Sequence, residues 1–421
     1  MDSFDVVVVG GGSAGMCAAI QAARAGAKTA LIEMTGVLGG TTTQGGVNFP
    51  GLFHAWEKQV IAGIGWDLVR KAVALDSGSL PDFTRTPKHH WEHQISVNPY
   101  VFAALAEEEC LAAGVVLRCH EMPYRVSYEG SWHVETAGKG GALASIAAKE
   151  IIDCTGDADI VRMAGLSCEK SDTRQPGTIM LAFDGYDVKS LNAEHIDAEY
   201  RKALADGRLM PGDHAHSRTS FMPFLAGRGG NQIHIFNADS STSAAKTDAD
   251  IRGRAAALRL LRFIRTLPGC ERARLASMSW TTGIRETYRI TGEHTITHDD
   301  YVNGRQFTDA VCHSFYPIDL HDENGIVPKP LARGIVPTVP LAALIPRGSG
   351  HILAAGRIIA SDRLANSALR VQATCMATGQ AAGAAAAVAA RTDTTPGTAP
   401  FDMIVSELCS AGAIVPPGTH R

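Results

Sequence analysis

Three things are missing from this chain of 421 residues: a long apolar run, a Cys-x-x-Cys pair and a second Gly-x-Gly-x-x-Gly placed after a strand. Nothing approaches the roughly eighteen uninterrupted apolar residues of a transmembrane helix, so none is expected. The nine cysteines are odd in number and widely scattered, which speaks against dithiol exchange and a structural zinc site and fits a reducing compartment. Charge is also sparse and balanced. Lys and Arg total 39 against 43 Asp and Glu, for a formal net charge of -4, and this balance gives no basic surface for nucleic acid. The opening Met-Asp-Ser-Phe-Asp is acidic and leads straight into an apolar strand, so no signal peptide is expected and the cytoplasm is the expected location. Length alone suggests two or three domains with a sizeable core.

What is present is concentrated in the first forty residues. Val6-Val7-Val8-Val9 end on Gly10-Gly11-Gly12-Ser13-Ala14-Gly15, and Met16, Ala19, Ile20 and Ala23 follow with helical spacing up to Gly26. An apolar run, a glycine turn and a helix in that order read as a buried parallel strand turning sharply into a helix whose free N–H groups can hold a pyrophosphate. Lys28 to Glu33 reads as the second strand. Glu33 lies within the expected reach, about twenty residues beyond the glycines, of a carboxylate that accepts adenosine ribose hydroxyls. It argues against a 2′-phosphate, which would want an arginine. The spacing predicts a dinucleotide site.

Further glycine turns mark places where the chain would return to that site. The stretch from Gly39 to Asn48 is too rich in glycine and hydroxyl groups for core and predicts a loop. Pro99 to Glu109, after Asn98, predicts a helix with proline in its first turn, ended by Gly114 before a strand at 115–119. Alternation around Tyr124 to Tyr128, Trp132 to Glu135 and Leu143 to Lys149 predicts a small antiparallel layer inserted before a strand at Glu150 to Asp153. That strand ends on Thr155-Gly156-Asp157. The last such turn is Gly356-Arg357, and Ser367 to Ala390 reads as one small-residue helix whose positive N-terminus near Leu369 and Arg370 suits an anion. Thr247 to Arg265 reads as a basic amphipathic helix with its arginines on a solvated face.

Three clusters are candidates for a reacting centre. Arg285 and Arg289 would share one face if their segment is helical; Arg285 could orient a carboxylate, or instead pair with Glu286 or Glu293. His313 and His321 flank Tyr316 and Asp319, bringing imidazole, phenol and carboxylate together as proton removal requires. His89-His90-Trp91-Glu92-His93 looks at first like a metal site, but His90 and His93 lack a carboxylate or cysteine partner at ligand spacing. No metal is expected, and the segment is placed at the border of a substrate entrance.

Gly10 to Gly15 with Glu33 and Gly39-Gly40, Ile152 to Asp157, Gly283 to Arg289 with Gly292-Glu293-His294, Tyr316 to His321, and Ala355-Gly356-Arg357 through Arg370 to Cys375 together carry a family likeness. The chain resembles the FAD-dependent oxidoreductases with a glutathione-reductase-like flavin fold, in their bacterial branch with a single nucleotide site. The likeness extends over nearly the whole chain. It implies an α/β fold: a Rossmann-like FAD-binding domain with a parallel sheet and a small antiparallel layer, interrupted by an α+β substrate domain. Residues 1–165 and 347–392 would form the flavin domain, 166–346 the substrate domain, and 393–421 a tail docked on the former.

By position, the resemblance implies that the backbone of Gly12, Ser13, Ala14 and Gly15 holds the pyrophosphate, that Glu33 binds the adenosine ribose, that Met122 sits where the adenine is gripped by main chain, and that Gly10 and Met34 also belong to the cofactor site. Thr155, Gly156 and Asp157 would lie over the nucleotide, and Gly40, Thr41 and Thr42 near the ribityl chain. Gly356, Arg357, Arg370 and Val371 would flank the ribityl chain and the pyrimidine edge, where a helix N-terminus stabilises the negative charge of reduced flavin. His313, Tyr316, Arg285 and His321 are the expected catalytic residues. The expected reaction is hydride transfer between a small polar organic substrate and flavin N5, with an unnamed electron acceptor and no nucleic acid or membrane partner; an oligomer is left open. Alternatives are reduction of an activated double bond, flavoprotein hydroxylation, and a flavin-carrying electron-transfer subunit without a substrate of its own. Cys312-His313 stand where a small residue is more usual, so substrate contacts would be private to this protein.

Overall fold

In the computed structural model of the chain, residues 2–322, 325–326 and 328–417 are described. Asp2–Val9 (β1), Ser13–Arg24 (α1) and Thr29–Glu33 (β2) follow one another as the valine run and the glycine turn require. β1 pairs with β2 in parallel, Val6 opposite Thr29 and Val9 opposite Ile32. Val6 to Val9 are all buried, the pattern of a strand covered on both faces. The helix Pro99–Ala112 (α2) is capped by the Asn98 side chain, which accepts from the N–H groups of Tyr100 and Val101. It leads to Val116–Cys119 (β3), which adds to β2.

Glu121–Tyr128 (β4), Trp132–Gly138 (β5) and Leu143–Asp153 (β6) form the antiparallel layer. The layer is not inserted before a separate strand. β6 continues without a break from its pairing with β5 into a parallel pairing with β1 that reaches Asp153. No glycine or proline falls between Leu143 and Asp153, so nothing ends the strand at Lys149.

After β6 comes the short helix Asp159–Met163 (α3). A second hydrophobic core gathers buried residues between Ile179 and Ile284 around the long helix Ser243–Ile264 (α4), whereas apolar residues from Ile290 to Ile345 belong to the larger core with the sheet. The arginines of α4 do not simply face solvent. Arg259 pairs with the buried Asp213 at 2.6 Å, and Arg252 Nη1 donates to the Phe236 carbonyl at 2.6 Å, because buried acceptors in the neighbouring loops need charged donors.

Ile352–Ala354 (β7) returns to the free side of β6 and completes a seven-stranded sheet in the order β3-β2-β1-β6-β5-β4, with β7 on β6. Arg363–Leu369 (α5) and Gln372–Thr392 (α6) follow. The single helix expected across this stretch is therefore broken, with Val371 extended (φ -70°, ψ 150°) as the N-cap of α6. α6 lies against α1 at a separation that only glycine allows: a Cβ on Gly379 would stand 2.1 Å from the Ala14 carbonyl oxygen, and one on Gly383 2.3 Å from that of Ala18. Phe401–Ser410 (α7) packs Ile404 and Leu408 into the main core, and Gln21 of α1 donates to the Glu407 carbonyl. Residues 418–421 of the tail lie outside the described residues. Among those described, no helix is long and apolar enough to cross a membrane.

Candidate active site

The glycines after β1 have different tasks. Gly10 sits at φ 97°, a region that favours glycine, and a Cβ there would stand 2.5 Å from the Cys154 carbonyl oxygen. A Cβ on Gly15 would stand 1.8 Å from the Gly10 carbonyl oxygen, so glycine is required for the turn to fold onto α1. Gly12 differs. Its backbone is ordinary, at φ -73°, and a Cβ would meet only the Gly40 Cα, at 4.0 Å. Beside this open space the Ser13 hydroxyl is buried without a partner. Unpaired N–H groups at the start of α1, an orphan hydroxyl and an unfilled space suit a pyrophosphate, so these residues fit the nucleotide expected there.

Glu33 is buried at the end of β2 and braces the same turn. Its carboxylate accepts from Gly11 N at 2.7 Å and from Thr35 N and Oγ1, each at 2.8 Å, with about one lone pair, on Oε2, remaining for a ribose hydroxyl. Met34, directly after β2, and Met122, on β4, both have exposed side chains.

Two return segments clamp one another. Asp153, at the end of β6, accepts from Thr155 N and Oγ1 and from the Ile160 and Val161 N–H groups of α3, which fixes the Thr155-Gly156-Asp157 turn. Asp157 accepts from Arg357 Nη2 at 2.9 Å and Ser240 Oγ at 2.7 Å, while Arg357 Nε donates to the Gly156 carbonyl at 2.6 Å. Gly356, at φ 85°, lets the turn before Arg357 form. On the facing loop Gly40 lies against Gly12. Thr42 is fully buried and hydrogen-bonds to Gln372 Oε1 at the start of α6, and Gln372 Nε2 donates to the Val47 carbonyl at 2.6 Å. Thr42 is thus a strut between loop and helix.

Between this loop, the segment around Arg285 and the start of α6 opens a cleft lined by Thr41, Arg285, Tyr316, Asp319, His321, Arg357, Arg370 and Val371 among others. Of the expected catalytic residues, Arg285, Tyr316 and His321 meet here. His313 does not. It ends the strand Ala310–His313 and borders a separate small cavity with Ile61, Cys312 and Gln380; burial lowers its imidazole pKa. Nor is the segment from Gly283 to Thr287 a helix: it leads into the strand Tyr288–Ile290, paired with Cys168–Lys170. Arg289 Nε donates to the Ser361 carbonyl at 2.9 Å, away from Arg285. Glu286 pairs with Arg363 at 3.0 Å and accepts from Gln175 N at 2.6 Å, not from Arg285. The His90 ring meets Tyr316 edge-on at 5.2 Å, which puts the histidine-rich segment beside the cleft. Among the described residues no group of His, Cys, Asp and Glu could hold a metal.

Asp319 organises the polar wall. Its Oδ2 lies 3.1 Å from His321 Nε2 and 3.4 Å from Arg370 Nη2. Burial alone would raise the carboxyl, but the hydrogen bond from His321 and the guanidiniums of Arg370 and Arg285 outweigh it and hold Asp319 well below the usual carboxylate range. An ionised Asp319 only accepts, so His321 carries its proton on Nε2. His321 Nδ1 then accepts from His234 Nε2, 3.0 Å away, leaving His234 Nδ1 a buried acceptor without a partner. Burial, with Arg285 nearby, brings His321 down to about 3 and His234 to about 2, so both are neutral at pH 7. Both nitrogens of His321 are therefore committed to neighbours. Tyr316 Oη accepts from Gln94 Nε2 at 2.9 Å and keeps its own hydrogen for the cleft; burial pushes its pKa above the ordinary phenol value. His234 and Gln94 carry no motif, and they lie 87 and 222 residues from the partners they meet.

A strand, glycine turn and helix with an acid closing the second strand define a dinucleotide-binding α/β protein. The model of the FAD dependent oxidoreductase family matches residues 5–408, and the chain belongs to that family. It is an enzyme whose cofactor is FAD. A dihydrolipoyl dehydrogenase from Trypanosoma brucei brucei is 53% identical over 53 residues, or 12% of this chain and 11% of that protein, so the chain matches about a tenth of its curated relative's length. Among solved structures, the anhydrotetracycline hydroxylase from Streptomyces rimosus aligns with 97% of this chain and 66% of its own, just under two thirds, at 13% identity and a TM-score of 0.47. The p-nitrophenol 4-monooxygenase from Pseudomonas putida aligns with 97% of this chain and 84% of its own, at 12% identity and a TM-score of 0.47.

Proposed function

We propose that this enzyme transfers a hydride between a small polar organic substrate and N5 of FAD, with the substrate seated in the cleft before α6. The observation that carries the reading is the meeting of Tyr316, Arg285 and the Asp319–His321–His234 chain beside the N-terminus of a long helix. Bound FAD supplies the two-electron carrier. The protein supplies the rest. Tyr316, a neutral phenol with its own hydrogen unspent, donates a hydrogen bond to the substrate oxygen or nitrogen and supplies the proton that accompanies hydride uptake by the substrate; in the opposite direction the substrate's proton leaves to solvent along the same contact. Gln94 aims that hydroxyl. His321 acts through its neighbours: Asp319 fixes its tautomer, and it in turn fixes His234. Free N–H groups at the start of α6 and the guanidinium of Arg370 favour negative charge at this end of the cleft.

The test is anaerobic mixing of the FAD-loaded enzyme with a panel of alcohols, amines and acids, compared with oxygen consumption driven by NADPH. Loss of the visible flavin absorbance with a member of the panel is the expected result. Oxygen consumption that needs NADPH and an aromatic substrate, with no bleaching by the panel, would favour hydroxylation instead. Tyr316→Phe should lower the rate of bleaching about 10²-fold or more while FAD stays bound; an unchanged rate would remove Tyr316 from the proton's path.

A further inference from the structure

Three arginines line the cleft, and two of them have carboxylate partners: Arg357 pairs with Asp157 at 2.9 Å and Arg370 with Asp319 at 3.4 Å. Arg285 has none among the described residues. It is only 7% exposed, and its one hydrogen bond runs from Nη1 to the uncharged Pro176 carbonyl at 2.5 Å. Asp319, whose charge it feels, is already shared between His321 and Arg370. Tyr316, His321 and His234 are neutral, so the charged groups around Arg285 leave the cleft with an uncompensated positive charge. Burial and the neighbouring Arg370 bring the Arg285 guanidinium down to about 9, still protonated at neutral pH.

A guanidinium withdrawn from water without a counter-ion is unfavourable unless a ligand brings one. The cofactor's pyrophosphate is not that ligand on this geometry, since Gly12 and Ser13 do not border the cleft. Asn231 does border it, with Oδ1 accepting from Thr178 Oγ1 at 2.6 Å, and adds an amide to the same wall.

We infer that the substrate carries a carboxylate and that Arg285 holds it, the planar guanidinium matching the two carboxylate oxygens in a way a spherical anion cannot. Small carboxylic acids are therefore the substrate class, with the reacting carbon set beside the Tyr316 hydroxyl. The inference rests on the proposal that substrate and flavin meet in this cleft.

The test is a titration of the FAD-loaded wild-type enzyme with acetate, malonate and succinate, and in parallel with acetamide and chloride, read as a difference spectrum of the flavin. At least one carboxylate should bind saturably, ten-fold or more tighter than acetamide and chloride. Arg285→Gln should weaken that binding at least ten-fold while FAD is retained, and Arg285→Lys should recover only part of it. Acetamide or chloride binding as tightly as the carboxylates would overturn the inference. So would Arg285→Gln that binds carboxylates normally, or that loses FAD while a reconstituted sample binds them normally, since Arg285 would then serve the flavin. The wild-type series decides the matter even if the variants do not fold. Carboxylates that bind tightly in a cleft no panel member bleaches would count against hydride transfer and leave the inference standing; neutral alcohols that bleach the flavin, with no carboxylate bound, would do the reverse.

Discussion

At the scale of single residues, the contrast between Gly12 and Gly15 separates folding from binding. A methyl group on Gly12 meets only an α-carbon at 4.0 Å, while one on Gly15 collides with the Gly10 carbonyl oxygen at 1.8 Å. Gly12→Ala should therefore fold with the thermal midpoint of the wild-type apoprotein yet bind FAD at least ten-fold more weakly, about 1.4 kcal/mol, because the methyl fills the space kept for phosphate. Gly15→Ala should lose soluble protein or several kcal/mol of stability as well. Cofactor retention on gel filtration with circular dichroism of the apoproteins checks both; a Gly12→Ala protein that holds FAD normally would place the pyrophosphate elsewhere. The same contrast shows what could be read beforehand. The glycine pattern was legible because each residue acts on neighbours a few positions away. His313 and His321 could not be told apart, because a crowd of polar residues does not say which way a strand presents them. His234 could not be found at all: it matters only through a partner 87 residues distant.

At the scale of elements, the α1–α6 contact is the tightest helix packing near the cradle. Gly379 and Gly383 let the backbones approach at 2.1 and 2.3 Å from where a methyl carbon would sit. Gly379→Ala should gain a little helix propensity, up to about 1 kcal/mol, and lose more to overpacking, about 1–3 kcal/mol. The net expectation is destabilisation, with weaker FAD binding because Ala14, the residue displaced, belongs to the glycine turn. Urea unfolding measures it, and a more stable Gly379→Ala would mean the helices can separate without cost. This region also shows where periodicity runs out. Nothing in an alanine-rich stretch announces that the chain straightens at Val371, since the break is imposed by what α5 and α6 pack against. Conversely, the spacing of Arg285 and Arg289 left a helix open, and the pairing of Tyr288–Ile290 with Cys168–Lys170 makes a strand of the segment's end.

For the whole molecule, buried histidines set the response to acid. Burial lowers His54 and His214 to about 4, His321 to about 3 and His234 to about 2. The unfolded chain takes up these protons near pH 6.5, so between that value and the native ones the unfolded state binds more protons and stability falls as pH falls. Glu150, which burial raises to about 9, and Asp159, raised to about 7, act in the opposite sense, since their native forms are protonated where the unfolded chain is not. Four histidines outweigh two carboxyls, so unfolding free energy should drop from pH 7 to pH 5. His214 is buried against Tyr200, Phe221 and Phe224, where its Nε2 lies 3.0 Å from Gln232 Oε1. His214→Gln should flatten the profile by up to about 1.4 kcal/mol per pH unit below pH 6. A slope unchanged from wild type in urea melts would show that His214 takes its proton in the folded state.

The clamp between Gly156-Asp157 and Arg357, together with the lean of α6 on α1, also sets a clock for synthesis. The glycine turn leaves the ribosome well before Arg357, Arg370 and the helix from Gln372 onward. Until they emerge, β1 has β2 and then β6 beside it but no helix against Ala14 and Ala18, and the strand-and-turn end of the nucleotide site stands exposed on one side. Capture of FAD is therefore expected to wait until α6 has emerged, so that a nascent chain stopped before Gln372 carries the most recognisable motif of the protein without its ligand.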